Sequence, residues 1–430
     1  MKILKEWLCI HKRNNMSYIT LVTRIKTLNI GNEALSSELI KIVSDCSDDE
    51  VLALERAPNH LSQFSFSQLR GKNDFEIDSI VNKWIDKIVG LCHGELQDFK
   101  NSVELVYKVS EPKVISKIRS KLKLRGWLAK TGYYSKQYSD RLKNFSESRV
   151  VLLNPAGELN PMSIDPPLRM LVELLAAKEL GAKVGVTNFS YEIDNLDVNK
   201  VLVNLFNRMD FIYVRDQLSL NLLVNLGVDE SLLRLVPDLV FMSEPEFNSK
   251  EIDNICKEYG IDHSSVIVVI NGKTGLSDVK DWAKVVDVLR DRGLKPIVMS
   301  NELSSDIKFA MELKKISCVD VVEKQFSYKI YSEVVSRANF IVSNRLHTSI
   351  LALTANTPVI PVEPILRKIR GVFGDFDYPL NVPSVREDGW VDQLVSNIDF
   401  LIANRDLVLE KSKKSLSETR NKILEAYKDL

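Results

Sequence analysis

The feature that most constrains this chain is the regular alternation of short, β-branched apolar runs with stretches of helical periodicity. A parallel sheet covered by helices on both faces produces that alternation, because its strands are buried on both sides and each crossover is a helix. In the first half the expected strands are residues 19–24, 51–54, 150–154, 184–187, 211–214 and 233–236. The clearest helices there cover 167–180 and 217–226 and stop at Gly181 and Gly227. Residues 242–249 are polar and contain Pro245, the composition of a linker. Beyond them, strands at 266–270, 296–299, 319–322, 340–343 and 358–362 alternate with helices at 278–292, 305–315, 328–337 and 348–355.

A length of 430 residues exceeds what one core usually supports. The expected fold class is therefore α/β, with two Rossmann-like domains facing across a cleft. The first takes residues 1–243, with an insertion near 113–143, and the second takes 250–405. Residues 406–430 read as a charged helix that packs on the body or crosses back to the first domain.

Charge and composition exclude several classes. The 58 Lys and Arg residues balance 58 Asp and Glu residues, so no global field favours nucleic acid or anionic lipid. Cys9, Cys46, Cys92, Cys256 and Cys318 are scattered, which supports neither a disulfide framework nor a zinc site, and a reducing cytoplasm is expected. No apolar run has the about 20 residues that cross a bilayer, and Lys5 and Glu6 interrupt the first segment before a signal core forms. HExxH, acidic metal motifs and nucleophile triads are lacking from the sequence, so no metal and no cofactor is expected.

In doubly wound sheets ligands bind beyond the carboxyl ends of strands, and three such loops stand out. After the strand at 340–343, Asn344, Arg345, Leu346, His347, Thr348 and Ser349 lead into an apolar helix. An anion there would meet free backbone N–H groups, the positive end of a helix dipole and a guanidinium, with an imidazole as proton donor. A structural Arg345–carboxylate pair and a core His347 are the competing reading. Val214-Arg215-Asp216 repeats the strand-to-helix arrangement, with Asp216 suited to capping and Arg215 either a ligand group or a surface ion pair. Asn29, Gly31 and Asn32 form a glycine turn between the first strand and its helix.

Together with Leu226-Gly227, Pro237-Asp238 and Thr357-Pro358, these loops resemble the polysaccharide pyruvyl transferase family. The resemblance rests on Asn29 to Gly31, Arg215 to Ser219 and above all Arg345 to His347, and it runs from about residue 19 to 362. It implies a fold similar to the GT-B glycosyltransferases and transfer of a pyruvyl group from phosphoenolpyruvate to a sugar of a surface polysaccharide or its precursor, as a ketal. It further implies that Arg215 and Arg345 hold the donor from opposing domains, with Asn344, Thr348 and Ser349 beside them, and that His347 is the general acid. Where the family often has a glycine cluster, this chain has Asn154, Gly157 and Glu158, which with Asn29, Gly31, Asn32, Asn271 and Lys273 are expected to line the acceptor side or the cleft.

The stretch 113–143 combines Lys117, Arg119, Lys121, Arg125 and Arg141 with Trp127 and Tyr133. It suits either a solvated helix face or peripheral contact with anionic lipid and a lipid-linked oligosaccharide acceptor at the inner face of the membrane. Two readings of function stay open beside the transferase: a nucleotide-sugar glycosyltransferase of the same architecture, and a catalytically silent glycan-binding protein.

Overall fold

The protein is represented by a computed structural model that describes residues 18–25, 27–56, 64–92, 140–157, 159, 164–246, 249–272, 278–364 and 367–430. Most of the basic stretch, Glu158, Lys273 and residues 1–17 lie outside the described residues.

The chain opens with β1 (Tyr18–Thr23), α1 (Ile30–Cys46), β2 (Glu50–Glu55) and α2 (Asp74–Cys92). There follow β3 (Ser148–Leu153), α3 (Asp165–Glu179), β4 (Lys183–Phe189), α4 (Leu196–Phe206), β5 (Phe211–Val214), α5 (Gln217–Leu226) and β6 (Leu233–Leu235). The six strands form one sheet in the order β2-β1-β3-β4-β5-β6, every neighbouring pair parallel. Residues buried on both faces explain why the strands read as unbroken apolar runs: Val150, Val151, Leu152 and Leu153 are all within the core.

A second parallel sheet, in the order β11-β10-β7-β8-β9, comes from β7 (Ser265–Val269), β8 (Lys295–Met299), β9 (Asp320–Val321), β10 (Phe340–Ser343) and β11 (Val359–Pro361). Its helices are α6 (Ser249–Tyr259), α7 (Val279–Asp291), α8 (Leu303–Ser317), α9 (Tyr328–Val335), α10 (Leu346–Thr354), α11 (Lys368–Asp375) and α12 (Trp390–Ala403). Helix α13 (Arg405–Tyr427) closes the described chain. The strand expected at 319–322 shrinks to two residues at the sheet edge, where only β8 is available to pair with it.

The two halves are joined by packing. One core covers the face of the first sheet under α2, α3 and α4. The other runs without a break from Ile19, Leu21, Val150 and Leu152, through Leu35, Leu39 and Phe241, to Val266, Val268, Ile341 and Ile350. Helix α13 returns to the first sheet, where the Tyr427 hydroxyl meets Thr187 Oγ1 at 2.5 Å and the Tyr213 hydroxyl donates to the Ala426 carbonyl at 3.1 Å. Arg141, grouped in sequence with the basic patch, is instead buried: its Nε and Nη2 donate to Glu173 at 2.7 and 2.8 Å.

Both sheets reverse their strand order, between β1 and β3 in the first and between β7 and β10 in the second. At such points the connections leave in opposite directions and open a crevice beyond the carboxyl ends.

Candidate functional site

Those carboxyl ends line one cavity of about 200 Å³. Arg24 follows β1, Arg56 follows β2, Ala156 and Gly157 follow β3, and Arg215 follows β5. From the second sheet come Asn301 after β8, Arg345, Leu346 and His347 after β10, and Lys368 after β11; Asn29 and Asn32, at the start of α1, complete the wall. Among the described residues the lining includes Arg24, Arg56, Arg215, Arg345 and Lys368 and no carboxylate. Such a surface favours an anion.

Arg215 is positioned by side chains from three elements. Its Nη1 donates to Asp238 Oδ2 at 2.9 Å and its Nε to Ser190 Oγ at 2.9 Å, while Ser190 donates to Asp216 Oδ2 at 2.5 Å. Asp216 is also the N-cap of α5, accepting from Ser219 N at 2.8 Å. His347 Nε2 lies 3.3 Å from Arg215 Nη1 and 3.4 Å from Asp238 Oδ2, so one buried carboxylate serves both side chains across the two sheets. Burial by itself would raise the Asp238 carboxyl, but His347 and Arg215 hold it at about 2. Burial lowers the His347 imidazole despite the pull of Asp238, and Arg215 and Lys368 push the same way. The Lys368 ammonium is brought down to about 8 by burial, helped by Arg215 and Arg345.

Arg345 is the N-cap residue of α10 and makes no side-chain cap. One of its Nη atoms pairs with Asp306, which is itself fixed by the backbone N–H groups of Gly272 and Glu302. Arg345 Nε is buried without an acceptor among the described residues. Leu346 and His347, in the first turn of α10, line the same cavity, and a helix start carries backbone N–H groups with no partner inside the helix.

Other residues singled out in the sequence lie beneath the site instead of facing it. Thr348 and Ser349 are fully buried, and their hydroxyls turn back to the Arg345 carbonyl at 3.0 and 2.8 Å. Asn344 is buried and accepts from Asn271 N at 2.6 Å, which fastens the ends of β10 and β7 together. Asn154 donates to Thr23 Oγ1 at 2.9 Å and accepts from Ala156 N at 3.0 Å, shaping the loop that presents Ala156 and Gly157. These polar groups are engaged by backbone and by neighbouring side chains, so they support the cavity without lining it. Gly31, expected in a turn, is helical: it sits in the first turn of α1, where an added Cβ would lie 2.3 Å from His347 Nδ1. The absent side chain lets α1 reach the imidazole.

Three cavity residues, and Asp238 buried beneath the cavity, carried no clear signal in the sequence. Asp238 stands in the Pro-Asp pair, but its role depends on contact with Arg215 and His347. Arg24, Arg56 and Lys368 follow strands with no motif around them; Arg24 and Arg56 leave neighbouring strands of the first sheet, and only the facing of the two sheets brings Lys368 to them. No group of His, Cys, Asp and Glu among the described residues could hold a metal ion.

A family model described as polysaccharide pyruvyl transferase matches residues 29–364. Comparison with curated proteins finds no match. A solved glycosyltransferase from Rickettsia africae superposes with TM-score 0.55 at 13% identity, covering 96% of this chain and 98% of that one. Anabaena Alr3699/HepE in complex with UDP and glucose gives 0.54 at 10% identity, covering 96% and 97%. S. aureus MnaA with UDP gives 0.52 at 12%, covering 92% and 91%. The fold is therefore that of the GT-B glycosyltransferases. No described helix is long and apolar enough to cross a membrane.

Proposed function

The chain belongs to the polysaccharide pyruvyl transferase family, and from that membership we propose that it moves the pyruvyl group of phosphoenolpyruvate onto a sugar of a surface polysaccharide or its precursor, forming a ketal. The observation that carries the donor assignment is the cation-lined cavity into which the start of α10 opens beside Arg345, Arg215, His347 and Lys368. Phosphoenolpyruvate has a phosphate and a carboxylate about a guanidinium's reach apart, and each is a bidentate partner for arginine. The α10 amides and the unsatisfied Arg345 Nε would hold one end, and Arg215 with Lys368 the other.

The donor's charge also arms the acid. His347 is depressed by burial in the free protein, and an adjacent anion favours its protonated form, with Asp238 as the acceptor for Nε2. Proton delivery to the methylene carbon generates an oxocarbenium-like centre; one sugar hydroxyl adds to it, phosphate departs, and a second hydroxyl closes the ketal. One hydroxyl proton replaces that given by His347, and the other leaves with phosphate.

On this reading the second sheet and Arg215 present the donor, and the wall from Arg24 to Gly157 faces the acceptor. Phosphoenolpyruvate is a metabolite of the cytoplasm, so the reaction belongs there, at the inner membrane face when the acceptor is lipid-linked. Incubation of purified protein with phosphoenolpyruvate and a panel of oligosaccharides should release phosphate and yield a ketal. Arg345→Ala and His347→Ala should each lower kcat/KM by about 100-fold or more. Binding of UDP or UDP-glucose with none of phosphoenolpyruvate would instead favour a nucleotide-sugar glycosyltransferase, in keeping with the UDP held by two of the structural neighbours.

A further inference from the structure

Closing a ketal on two sugar hydroxyls frees two protons, one matching that given to the methylene carbon and one that leaves with phosphate. The second needs a base on its way out. Arginine keeps its charge at any working pH, so among the described lining residues His347 and Lys368 are the ones that exchange a proton near neutrality, and His347 is occupied as the acid. The carboxylates closest to these groups are engaged. His347 and Arg215 hold Asp238 at about 2 against its burial, Asp216 caps α5 and accepts from Ser190, and Asp306 is paired with Arg345.

Glu192 is different. It lies three residues beyond β4, in a loop fixed on either side of it. Tyr191 N donates to Ser219 Oγ at 2.8 Å, the Tyr191 hydroxyl to Asn199 Oδ1 at 2.7 Å, and Asn199 Nδ2 to the Ile193 carbonyl at 3.1 Å. Ser190 of the same loop meets Arg215 Nε. Glu192 Oε1 is buried with no hydrogen-bond partner among the described residues, so a positioned carboxyl oxygen stands ready to take a proton. Burial raises this carboxyl to about 7, opposed first by Lys368 and then by Arg215 and Arg367, with Asp216 adding to the rise. Lys368 lies at about 8, so a proton passes between the two at little cost. Glu363, two residues past β11, also acts on Lys368, but it is 2% exposed and its Oε2 accepts from Arg370 N at 2.7 Å. Burial, with Glu192 adding to it, lifts Glu363 to about 8 against Arg370 and Lys368, and at neutral pH it keeps its proton.

We infer that Glu192 is the proton acceptor of the transfer, reached through Lys368, which lines the cavity. This rests on the pyruvyl-transfer reading. As a sugar hydroxyl bonds to the ketal carbon, its O–H bond breaks and the proton goes to Lys368 Nζ, while a proton that the ammonium carried passes to Glu192. The C–O bond to phosphate breaks, the relay runs back, and the proton ends on the departing phosphate. Both side chains return to their starting states. Glu192 touches no reacting atom; it is a positioning residue that keeps Lys368 able to accept.

The pH dependence of ketal formation tests this. Wild-type kcat should rise with pH through about 7, because the relay needs Glu192 ionised. Glu192→Gln keeps the shape of the side chain and removes the base. It should lower kcat about 100-fold, abolish that rise and leave KM for phosphoenolpyruvate within about twofold. Glu192→Asp should keep the rise at a lower kcat. A loss confined to KM, or an undiminished rise in Glu192→Gln, overturns the inference and leaves Glu192 a structural neighbour of Lys368. Should Glu192→Gln lose its cooperative thermal transition, Glu192→Asp decides, and absence of the rise in that variant overturns the inference. A wild-type chain that forms no ketal from phosphoenolpyruvate overturns the pyruvyl-transfer reading itself, and the relay with it.

Discussion

Single side chains in this protein are placed by what lies across the cleft from them. His347 has its imidazole between Asp238 and Arg215 of the other sheet, with α1 close behind it because Gly31 has no Cβ. Gly31→Ala would press a methyl group against Nδ1 and drive the ring from Asp238. Because a displacement of about 1 Å at a catalytic group costs up to about 100-fold, kcat should fall 10- to 100-fold while phosphoenolpyruvate still binds and the thermal transition stays cooperative. Steady-state kinetics with a calorimetric KM comparison would check it. The sequence made Arg215, Arg345 and His347 visible because each sits where a strand runs into a helix, a position with a known geometry. It concealed Asp238 as the shared partner of Arg215 and His347, and Lys368 as a neighbour of Arg215, since the Asp238–His347 and Lys368–Arg215 relations span more than 100 residues and exist only after both sheets have formed. Thr348 and Ser349 misled for the opposite reason: hydroxyls at a helix start can serve a ligand or the helix itself, and here they bond the Arg345 carbonyl.

Among the elements, α5 and α11 form a clasp between the halves. Asp375, at the end of α11, accepts from the first free N–H of α5, that of Gln217, at 2.6 Å, and Gly371 allows the two helices to approach until a Cβ there would lie 2.9 Å from Asp216 Oδ1. The carboxylate thus caps a helix of the other half and meets the positive end of its dipole. Asp375→Ala should cost about 1 kcal/mol in chemical denaturation, in the range of a lost helix cap, and should loosen Arg215 through Asp216, seen as a higher KM for phosphoenolpyruvate. Strand and helix positions were largely readable, because doubly buried strands are apolar throughout and Gly227 marks the end of α5 in the left-handed region, at φ 98°. The clasp was not: Asp375 occupies an ordinary surface pattern, and nothing local says which helix it will cap.

For the whole molecule, the consequence of two facing sheets is a concentration of positive charge in a chain whose total charge is zero. Burial holds Lys368 at about 8 and His347 below its ordinary value, so both are poised to gain protons when an anion enters. An anion favours the charged forms and raises both pKa values, so binding takes up protons, and affinity falls as pH rises through about 8. Calorimetry of phosphoenolpyruvate binding at pH 8 in two buffers of different ionisation enthalpy should give a net uptake, and Lys368→Met should abolish most of it. The return of α13 to the first sheet has a different consequence. Tyr427 and Ala426 supply hydrogen-bond partners to Thr187 and Tyr213, so the opening half lacks part of its interior until residues emerging more than 200 positions later have been made. A ribosome therefore cannot release a finished first lobe while translating the second; both must wait for the tail to be threaded home.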